Sequence, residues 1–283
     1  MKLCEIYNSD KPVISFEIFP PENDEKIQEL YSEIKLMMNC KPQFISLTYG
    51  AGGKNNENYK KVLKALKIDL KADVMPHFTC MCSGKSFIEE NLEFLKSAGI
   101  ENILALRGDI PQEIKKICTD FCHANELVEY LKKKTDFSIA VAGYPETHLE
   151  SASVEDDIKY LKQKVDAGAE VIITQMFFDN EKYFQFCEHA QKAGINVPVI
   201  PGIMPVISNQ QLLKMTKLAR ITIPKTFKEK LEKHSDNKAY MKELGIEFAT
   251  AQCQALLDKK VKGLHFFTLN KSYSTVKILE NIL

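Results

Sequence analysis

The chain has 283 residues, of which 45% are hydrophobic and 27% charged, a composition typical of a globular protein that can bury a sizeable core. Its 38 basic and 38 acidic residues give a formal net charge of +0. This balance argues against a dedicated nucleic-acid or membrane-surface binder, because no basic excess exists to neutralise phosphates. No apolar run reaches the roughly 18 residues that span a bilayer, and no signal peptide is evident, so we expect a cytoplasmic protein with reduced cysteines.

Eight short apolar runs recur along the chain and are predicted to be β-strands. They occupy residues 13–19, 43–49, 73–79, 102–106, 137–142, 170–175, 197–202 and 263–269. Amphipathic helices are predicted between them, for example at 23–38 and at 153–165, where Ser153-x-x-Asp156 resembles a capping box. Glycines at 99, 168 and 194 are predicted to end helices directly before the next strand.

Strands that alternate with helices in this way are typical of parallel strands joined by helical crossovers. The sequence therefore predicts an α/β fold, a single (β/α)₈ TIM barrel over residues 1–283, with the active site at the carboxyl ends of the strands. The pattern breaks once, because residues 208–262 leave room for extra helices between the seventh and eighth strands. Within this insertion we interpret the lysine-rich stretch 225–242 as a solvated helix.

One carboxylate stands inside the first apolar run. Glu17 lies in the middle of VISFEIFPP. If its side chain points into the barrel, burial disfavours the charged form and raises its pKa, which would make it a usable acid near neutral pH. The alternative is a structural glutamate held by a salt bridge near the strand end.

Other polar residues follow the ends of the predicted strands. Arg107-Gly108-Asp109 could bind a phosphate through the guanidinium, or could form a turn with a surface ion pair. Thr48 opens the glycine-rich segment TYGAGG, which could present backbone amides to a cofactor or be an ordinary turn. Gln175 is suited to the amide edge of a heteroaromatic ring, or is a polar residue of a barrel layer.

Histidine and cysteine residues raise the question of a metal. A lone His77 in a strand is more often a hydrogen-bonded core residue than a ligand. Cys80-x-Cys82 and Cys118-x₃-Cys122 lack the paired C-x₂-C spacing of structural zinc sites. We therefore expect no metal.

Taken together, eight sequence blocks resemble one enzyme family. In chain order they are SFEIFPP, FISLTYGAGG, PHFTC, NILALRGDIP, AGYPETH, KVDAGAEVIITQMFFD, PVIPGIMPV and HFFTLN. In this order and spacing they are similar to the 5,10-methylenetetrahydrofolate reductase family, from near residue 12 to the C-terminus.

The resemblance implies a flavoprotein that reduces 5,10-methylenetetrahydrofolate to 5-methyltetrahydrofolate. FAD would take a hydride from NADH or NADPH and pass it to the folate in a ping-pong scheme. By the same resemblance Glu17 is the general acid that protonates the folate N10 and opens the ring to attack by the flavin N5 hydride. Asp109 matches an aspartate that lies beside the flavin and the pterin, tunes the flavin and helps to hold the pterin.

The resemblance also implies binding residues. Those that hold FAD would be Thr48, Tyr49, Ala51, His77, Arg107, Gly108, Asp109, Ala124, Tyr144, His148, Asp157 and Lys164. Those that contact folate would be Asp109, Gln175, Gln211 and Lys271. Arg107 and Lys164 are the natural partners of the pyrophosphate. At the position of Lys271, bacterial relatives carry an arginine that would hold the glutamate tail of the folate. Lysine keeps the positive charge but cannot form the two parallel hydrogen bonds of an arginine.

These residues and this resemblance leave three functions open. The leading one is an FAD-dependent reductase of small-molecule substrates, folate and a nicotinamide dinucleotide, which forms homo-oligomers as relatives do. The alternative is a flavin- or folate-binding subunit of a larger redox complex that receives electrons from a partner protein. A third is a metal-dependent barrel lyase. The sequence does not choose between NADH and NADPH, and since it ends just after the barrel we expect no S-adenosylmethionine-sensing domain.

Overall fold

The computed structural model describes residues 1–49, 56–81, 83–108, 120–234 and 237–283, apart from the side chains of Asn56 and Leu218. Ala51 and Asp109, which the sequence assigns to the site, lie outside the described residues.

Eight parallel strands form a closed barrel in which each strand pairs with the next and the last pairs with the first. The strands are β1 (Val13–Ile18), β2 (Phe44–Leu47), β3 (Val74–Thr79), β4 (Asn102–Leu106), β5 (Ser138–Gly143), β6 (Val171–Met176), β7 (Val199–Ile203) and β8 (Gly263–Phe267). The predicted (β/α)₈ barrel is confirmed, and each predicted strand overlaps an observed one.

Helices connect successive strands, and one further helix precedes β1 and another follows β8. They are α1 (Leu3–Ile6), α2 (Glu25–Met38), α3 (Asn56–Ile68), α4 (Lys85–Ser97), α5 (Ala124–Lys134), α6 (Val154–Asp166), α7 (Asn180–Lys192), α8 (Asn209–Ala219), α9 (Lys225–Lys233), α10 (Lys238–Asp258) and α11 (Tyr273–Ile282). No helix in the described part of the chain combines the length and the apolar character that a bilayer crossing requires.

The predicted helix ends are confirmed. Gly99, Gly168 and Gly194 follow α4, α6 and α7 with φ values of 68°, 119° and 76°, the left-handed region that glycine adopts without a Cβ clash. After α4, the amide of Ile100 donates to the carbonyl of Leu95 and that of Gly99 to Lys96, which is the paired hydrogen bonding of a helix stop.

The extra helices predicted between β7 and β8 are confirmed, but the stretch 225–242 is not one solvated helix. Lys225–Lys233 form α9, and α10 begins at Lys238. Phe227 and Leu231 of α9 are buried, because their spacing of four places both on one face of the helix. They pack in an apolar cluster with Met176 and Met204, so the extra helices cover the carboxyl ends of β6 and β7.

The lower part of the barrel interior is apolar. It is filled by inward side chains that include Val13, Phe44 and Met75, and these pack against Leu3 and Tyr7 of the N-terminal segment. The sequence analysis did not predict α1, whose single turn closes this end of the barrel. The carboxyl ends of the strands, where a barrel carries its active site, lie at the opposite end of the interior.

Gly245 lets α10 pass directly over the segment that follows β7. A Cβ built on Gly245 would lie 1.9 Å from the carbonyl oxygen of Val206, a distance that requires the backbone to shift. We predict that Gly245→Ala destabilises the protein by about 1–3 kcal/mol, as overpacking does, although alanine favours a helix by about 1 kcal/mol.

Denaturant unfolding measures this change, with Glu247→Ala on the exposed side of the same helix as the control. The control is expected to stay within about 0.5 kcal/mol of the parent chain. A stabilised Gly245→Ala protein would contradict the close approach.

Candidate active site

A carboxylate and two imidazoles meet inside the barrel near its carboxyl end. Glu17 points inward from β1, and its Oε2 lies 3.3 Å from Nε2 of His77 on β3 and 3.7 Å from Nε2 of His265 on β8. Strand geometry brings them together, since Ser15 and Glu17 lie on the same face of β1 and Ser15 is in register with His265. The Glu17 side chain is 21% exposed, so the carboxyl is accessible from the mouth of the barrel.

Buried serines hold the two imidazoles. The hydroxyl of Ser46 lies 2.9 Å from Nε2 of His77, and that of Ser15 lies 2.8 Å from Nδ1 of His265. The other nitrogen of His265, Nε2, is buried and has no hydrogen-bond partner among the residues described, so it faces Glu17 from just beyond hydrogen-bond distance.

Two threonines position Glu17 itself. The hydroxyl of Thr48, directly after β2, donates to Oε1 of Glu17 at 3.4 Å. The hydroxyl of Thr268, directly after β8, donates to the backbone carbonyl of Glu17 at 2.7 Å. Thr48 therefore holds the carboxyl and Thr268 holds the backbone of Glu17, while Oε2 faces the histidines.

The structure corrects the expected charge of Glu17. Burial does raise the pKa of its carboxyl, but His77, and with it His265, outweighs burial and lowers the pKa of Glu17 to about 2. The prediction that this carboxyl is kept protonated was therefore wrong, because it counted desolvation and left out the neighbouring imidazoles. The carboxyl is ionised near neutral pH, so it must take up a proton, from a neighbouring group or from solvent, before it can donate one.

A cavity of 460 Å³ opens beside the carboxyl ends of β4 and β5. Its volume is within the range of small-molecule and cofactor sites. Six of the residues that the sequence assigns to a cofactor line it: Arg107, Ala124, Tyr144, His148, Asp157 and Lys164. The first residues of α5 also line the cavity, which brings the positive end of a helix dipole to its wall.

Lys164 is the most constrained cation of this cavity. Its ammonium donates to the carbonyl of Ala142 at 2.6 Å. Burial lowers the pKa of Lys164 to about 8, although the nearby Asp157 opposes the shift. A desolvated cation of this kind gains more from an anionic ligand than an exposed lysine does.

Arg107, the second cation, is paired with a carboxylate. Its two terminal nitrogens bind the two oxygens of Glu150, one of them at 2.8 Å, in a bidentate pair at the edge of the cavity. The hydrogen bond to Arg107 lowers the pKa of Glu150. An anion that binds Arg107 in the cavity must therefore compete with Glu150.

The other cofactor candidates in the described residues lie in three places. Thr48 and His77 belong to the Glu17 cluster. Gly108 has a φ of 86° directly after Arg107, and a Cβ there would lie 3.1 Å from Thr79. Tyr49 packs edge-on against Tyr59, with ring centroids 4.9 Å apart, beside a smaller pocket that His77 also lines.

Two of the folate candidates bind nearby backbone. The Oε1 atom of Gln175 accepts from the amide of Met176 at 3.0 Å, next to an irregularity in the pairing of β6 with β7. Such irregularities commonly re-aim side chains beside active sites. Gln211 accepts from the amide of Ile207 at 2.9 Å and so braces the start of α8.

Lys271, the folate-tail candidate, is also paired with carboxylates. Its ammonium contacts Glu29 and lies 3.6 Å from an oxygen of Glu33, both on α2. The contact with Glu29 raises the pKa of Lys271. The positive charge is present, but an anionic substrate tail would have to displace a carboxylate to reach it.

Metal-binding geometry is absent from the part of the chain that the structure describes. No group of three or more histidine, cysteine, aspartate or glutamate side chains in these ranges could hold a metal ion. Cys80 is buried, and burial raises the pKa of its thiol to about 12, so it is a poor thiolate ligand.

Comparison with known proteins identifies the family. A family model for methylenetetrahydrofolate reductase matches residues 2–283. The chain belongs to the methylenetetrahydrofolate reductase family. The Escherichia coli 5,10-methylenetetrahydrofolate reductase is 35% identical over 269 residues, which cover 95% of this chain and 90% of that protein.

Longer relatives match over part of their length. A rice protein named probable methylenetetrahydrofolate reductase (NADH) is 36% identical over 295 residues, which are 99% of this chain and 50% of that protein. The chain thus spans about half the length of the plant relatives that it matches. A solved structure of a Clostridium thermocellum protein, described as binding two copies of 5-methyl-5,6,7,8-tetrahydrofolic acid, covers this whole chain with a TM-score of 0.65 at 15% identity, which supports the fold.

Sequence reasoning missed several members of the site. It did not name His265. Because side chains alternate along a strand, His265 lies on the same inward face of β8 as Phe267, and it is in register with Ser15 of β1. It also missed Ser15 and Ser46, and the carboxylate of Glu150 that binds Arg107. Chain order carries no signal for that last pair, since it depends on how two loops meet.

The lowered pKa of Glu17 predicts how stability depends on pH. A group whose folded pKa is depressed contributes stability that is present above its unfolded pKa, here 4.5, and is lost as the pH falls through the folded pKa. The free energy of unfolding should therefore fall more in the parent chain than in Glu17→Gln between pH 6 and pH 3, by about 1 kcal/mol or more.

Denaturant titrations of the two proteins at several pH values measure this difference, and Glu22→Gln in the exposed loop after β1 is the control. His77→Asn should shrink the difference, because it removes the neighbour that lowers the pKa most. If the parent chain instead gained stability over Glu17→Gln as the pH fell, the carboxyl would have a raised pKa.

Proposed function

We propose that this chain binds FAD and reduces 5,10-methylenetetrahydrofolate to 5-methyltetrahydrofolate with a reduced nicotinamide dinucleotide. The observation that carries the proposal is the Glu17 cluster, an acid held between His77 and His265 at the mouth of a barrel whose sequence belongs to this family. Family membership alone supports the substrate class, and the cluster adds a chemical group suited to proton transfer.

The cavity beside β4 and β5 fits the cofactor. Arg107 and Lys164 are two cations for a pyrophosphate, and the amide end of α5 adds a third favourable contact for an anion. Tyr144 and His148, whose rings meet edge-on at 4.6 Å, offer an aromatic wall for a ring system. When bound, FAD would accept a hydride from the nicotinamide and donate one to the folate.

The residues of the Glu17 cluster would move a proton. An imidazolium at His77 or His265 can pass its Nε2 proton to Oε2 of Glu17, because the two nitrogens lie 3.3 and 3.7 Å from that oxygen. Glu17 then delivers the proton to N10 of the folate, and Ser15 and Ser46 keep the imidazoles in place. Proton transfer by a positioned side chain typically contributes 10²- to 10⁴-fold to a rate.

NADH is the proposed reductant. The names of the rice and maize relatives include NADH, which supports NADH as the first nicotinamide to test. For Asp109, the position beside the flavin and the pterin is proposed from the family resemblance alone.

A subunit of a larger redox complex is the second candidate, and flavin reduction separates the two. Anaerobic mixing of the flavin-loaded protein with NADH or NADPH should bleach the flavin absorption rapidly, and added methylenetetrahydrofolate should restore it. A flavin that stays oxidised with either nicotinamide would favour the subunit, since electrons would then have to come from a partner protein.

We predict that Glu17→Gln separates the two half-reactions. The amide cannot donate a carboxylic proton, so folate reduction should fall by at least about 100-fold. Flavin reduction by the nicotinamide needs no proton from this group and should stay within about twofold of the parent rate. Stopped-flow absorbance follows both steps, with Glu22→Gln as the control, and near-parental folate reduction by Glu17→Gln would exclude the proposed role.

A second prediction concerns the pair of Arg107 and Glu150. Because Glu150 competes for Arg107, Glu150→Gln should tighten FAD binding by about two- to fivefold, the scale of a partly exposed ion pair. Arg107→Gln should weaken it by more. Quenching of flavin fluorescence on binding measures the Kd, and Glu129→Gln, which breaks an exposed ion pair with Lys133 outside the cavity, is the control. Unchanged affinity in Glu150→Gln would show that the pair does not compete with the cofactor.

A further inference from the structure

Glu146 joins two loops that are 76 residues apart in the sequence. Its carboxylate oxygens accept the backbone amide of Thr222 at 3.0 and 3.1 Å, and one of them accepts the Thr222 hydroxyl at 2.5 Å. Thr222 thus donates to the Glu146 carboxylate from both its backbone amide and its side-chain hydroxyl. We call this contact the Glu146–Thr222 clasp.

The first loop of the clasp forms a wall of the proposed cofactor cavity. It connects β5 with α6 and carries Tyr144, His148 and Glu150, which all line that cavity. Glu146 lies between them in the sequence, so its contact with Thr222 restrains the segment that presents these side chains.

The backbone of this loop is held in an unfavourable conformation. Thr147 has a φ of 68°, in the left-handed region that a β-branched residue rarely adopts. Its amide closes a turn onto the carbonyl of Tyr144 at 3.0 Å. Such strain persists where surrounding contacts hold the chain, and it gathers at ligand clamps and functional sites. The clasp is one of the contacts beside this turn.

The second loop belongs to the helices that cover β6 and β7. Thr222 follows α8, whose chain turns at Arg220 with a φ of 51°. The preceding Ile221 is 8% exposed and packs in the same apolar cluster as Leu212 of α8 and Met176 of β6. The clasp therefore fixes α8 and the end of β6, where Gln175 lies, relative to the cofactor loop.

We propose that Glu146 is a positioning residue of the reaction. Through Thr222 it holds the folate candidates Gln175, at the end of β6, and Gln211, on α8, at a fixed position relative to the cofactor cavity. This inference rests on the proposed function. Glu146 acts through α8 and does not touch the reacting atoms. A carboxylate that accepts both donors of one residue, with the amide shared between its two oxygens, restricts the distance and the angle between the two loops, which suits a hydride transfer that depends on the spacing of two ligands.

The test separates the two half-reactions in matched variants. Glu146→Ala removes the acceptor, Thr222→Val removes the hydroxyl, and Thr222→Ser keeps both donors. We expect Glu146→Ala to raise the KM for methylenetetrahydrofolate about tenfold and Thr222→Val to raise it severalfold, while Thr222→Ser stays at the parental value. Oxidation of the nicotinamide with an artificial quinone acceptor, which does not use the folate side, should stay within twofold in all of them.

The double variant and a surface control complete the design. Glu146→Ala with Thr222→Val should be no worse than Glu146→Ala alone, because both remove the same contact. Glu188→Ala on the exposed face of α7 should behave as the parent chain. Equal losses in both half-reactions, or an unchanged folate KM in Thr222→Val, would overturn the positioning role. A parent chain that oxidises the nicotinamide but never reduces the folate would instead overturn the proposed function.

Discussion

The contact between Glu17 and its two histidines is the constraint on which the site depends. A carboxylate inside a barrel whose lower interior is apolar would ordinarily take up a proton. Here His77 and His265 stabilise its charge, and Ser46 and Ser15 hold the imidazoles. The group is therefore an ionised carboxylate and not a stored acid, as the proton path proposed above requires.

The two proposed ligand sides share a second physical feature. On each side one cation is already paired with a carboxylate, Arg107 with Glu150 and Lys271 with Glu29. Such partly exposed pairs contribute little stability, but an anionic ligand must compete with the carboxylate for the cation. The affinity for an anionic ligand on each side then depends on how readily the carboxylate releases the cation. A residue-by-residue match to a family does not reveal these competing carboxylates.

The sequence predicted much of the fold, because strand and helix periods and the glycine stops are local signals. Gly99 and Gly168 end their helices as expected, and the barrel follows from repetition of one unit. It did not predict α1, whose four residues are too few for a periodic pattern, nor the break between α9 and α10. Of the site, Glu17 could be singled out as unusual within an apolar run. Its charge could not, since that depends mainly on His77 and also on His265, which are 60 and 248 residues away in the chain and reach Glu17 only because the barrel brings β3 and β8 close to β1.

The ionisation of Glu17 at neutral pH between the two imidazoles can be measured directly. A carbon-13 NMR titration of protein labelled at the glutamate carboxyl carbons does so, with the Glu17 resonance assigned by its loss in Glu17→Gln. We predict that this resonance keeps its ionised position from neutral pH down to below pH 4, while the exposed glutamates titrate. A midpoint above the ordinary glutamate value of 4.5 would contradict it and would restore the carboxyl as a stored acid.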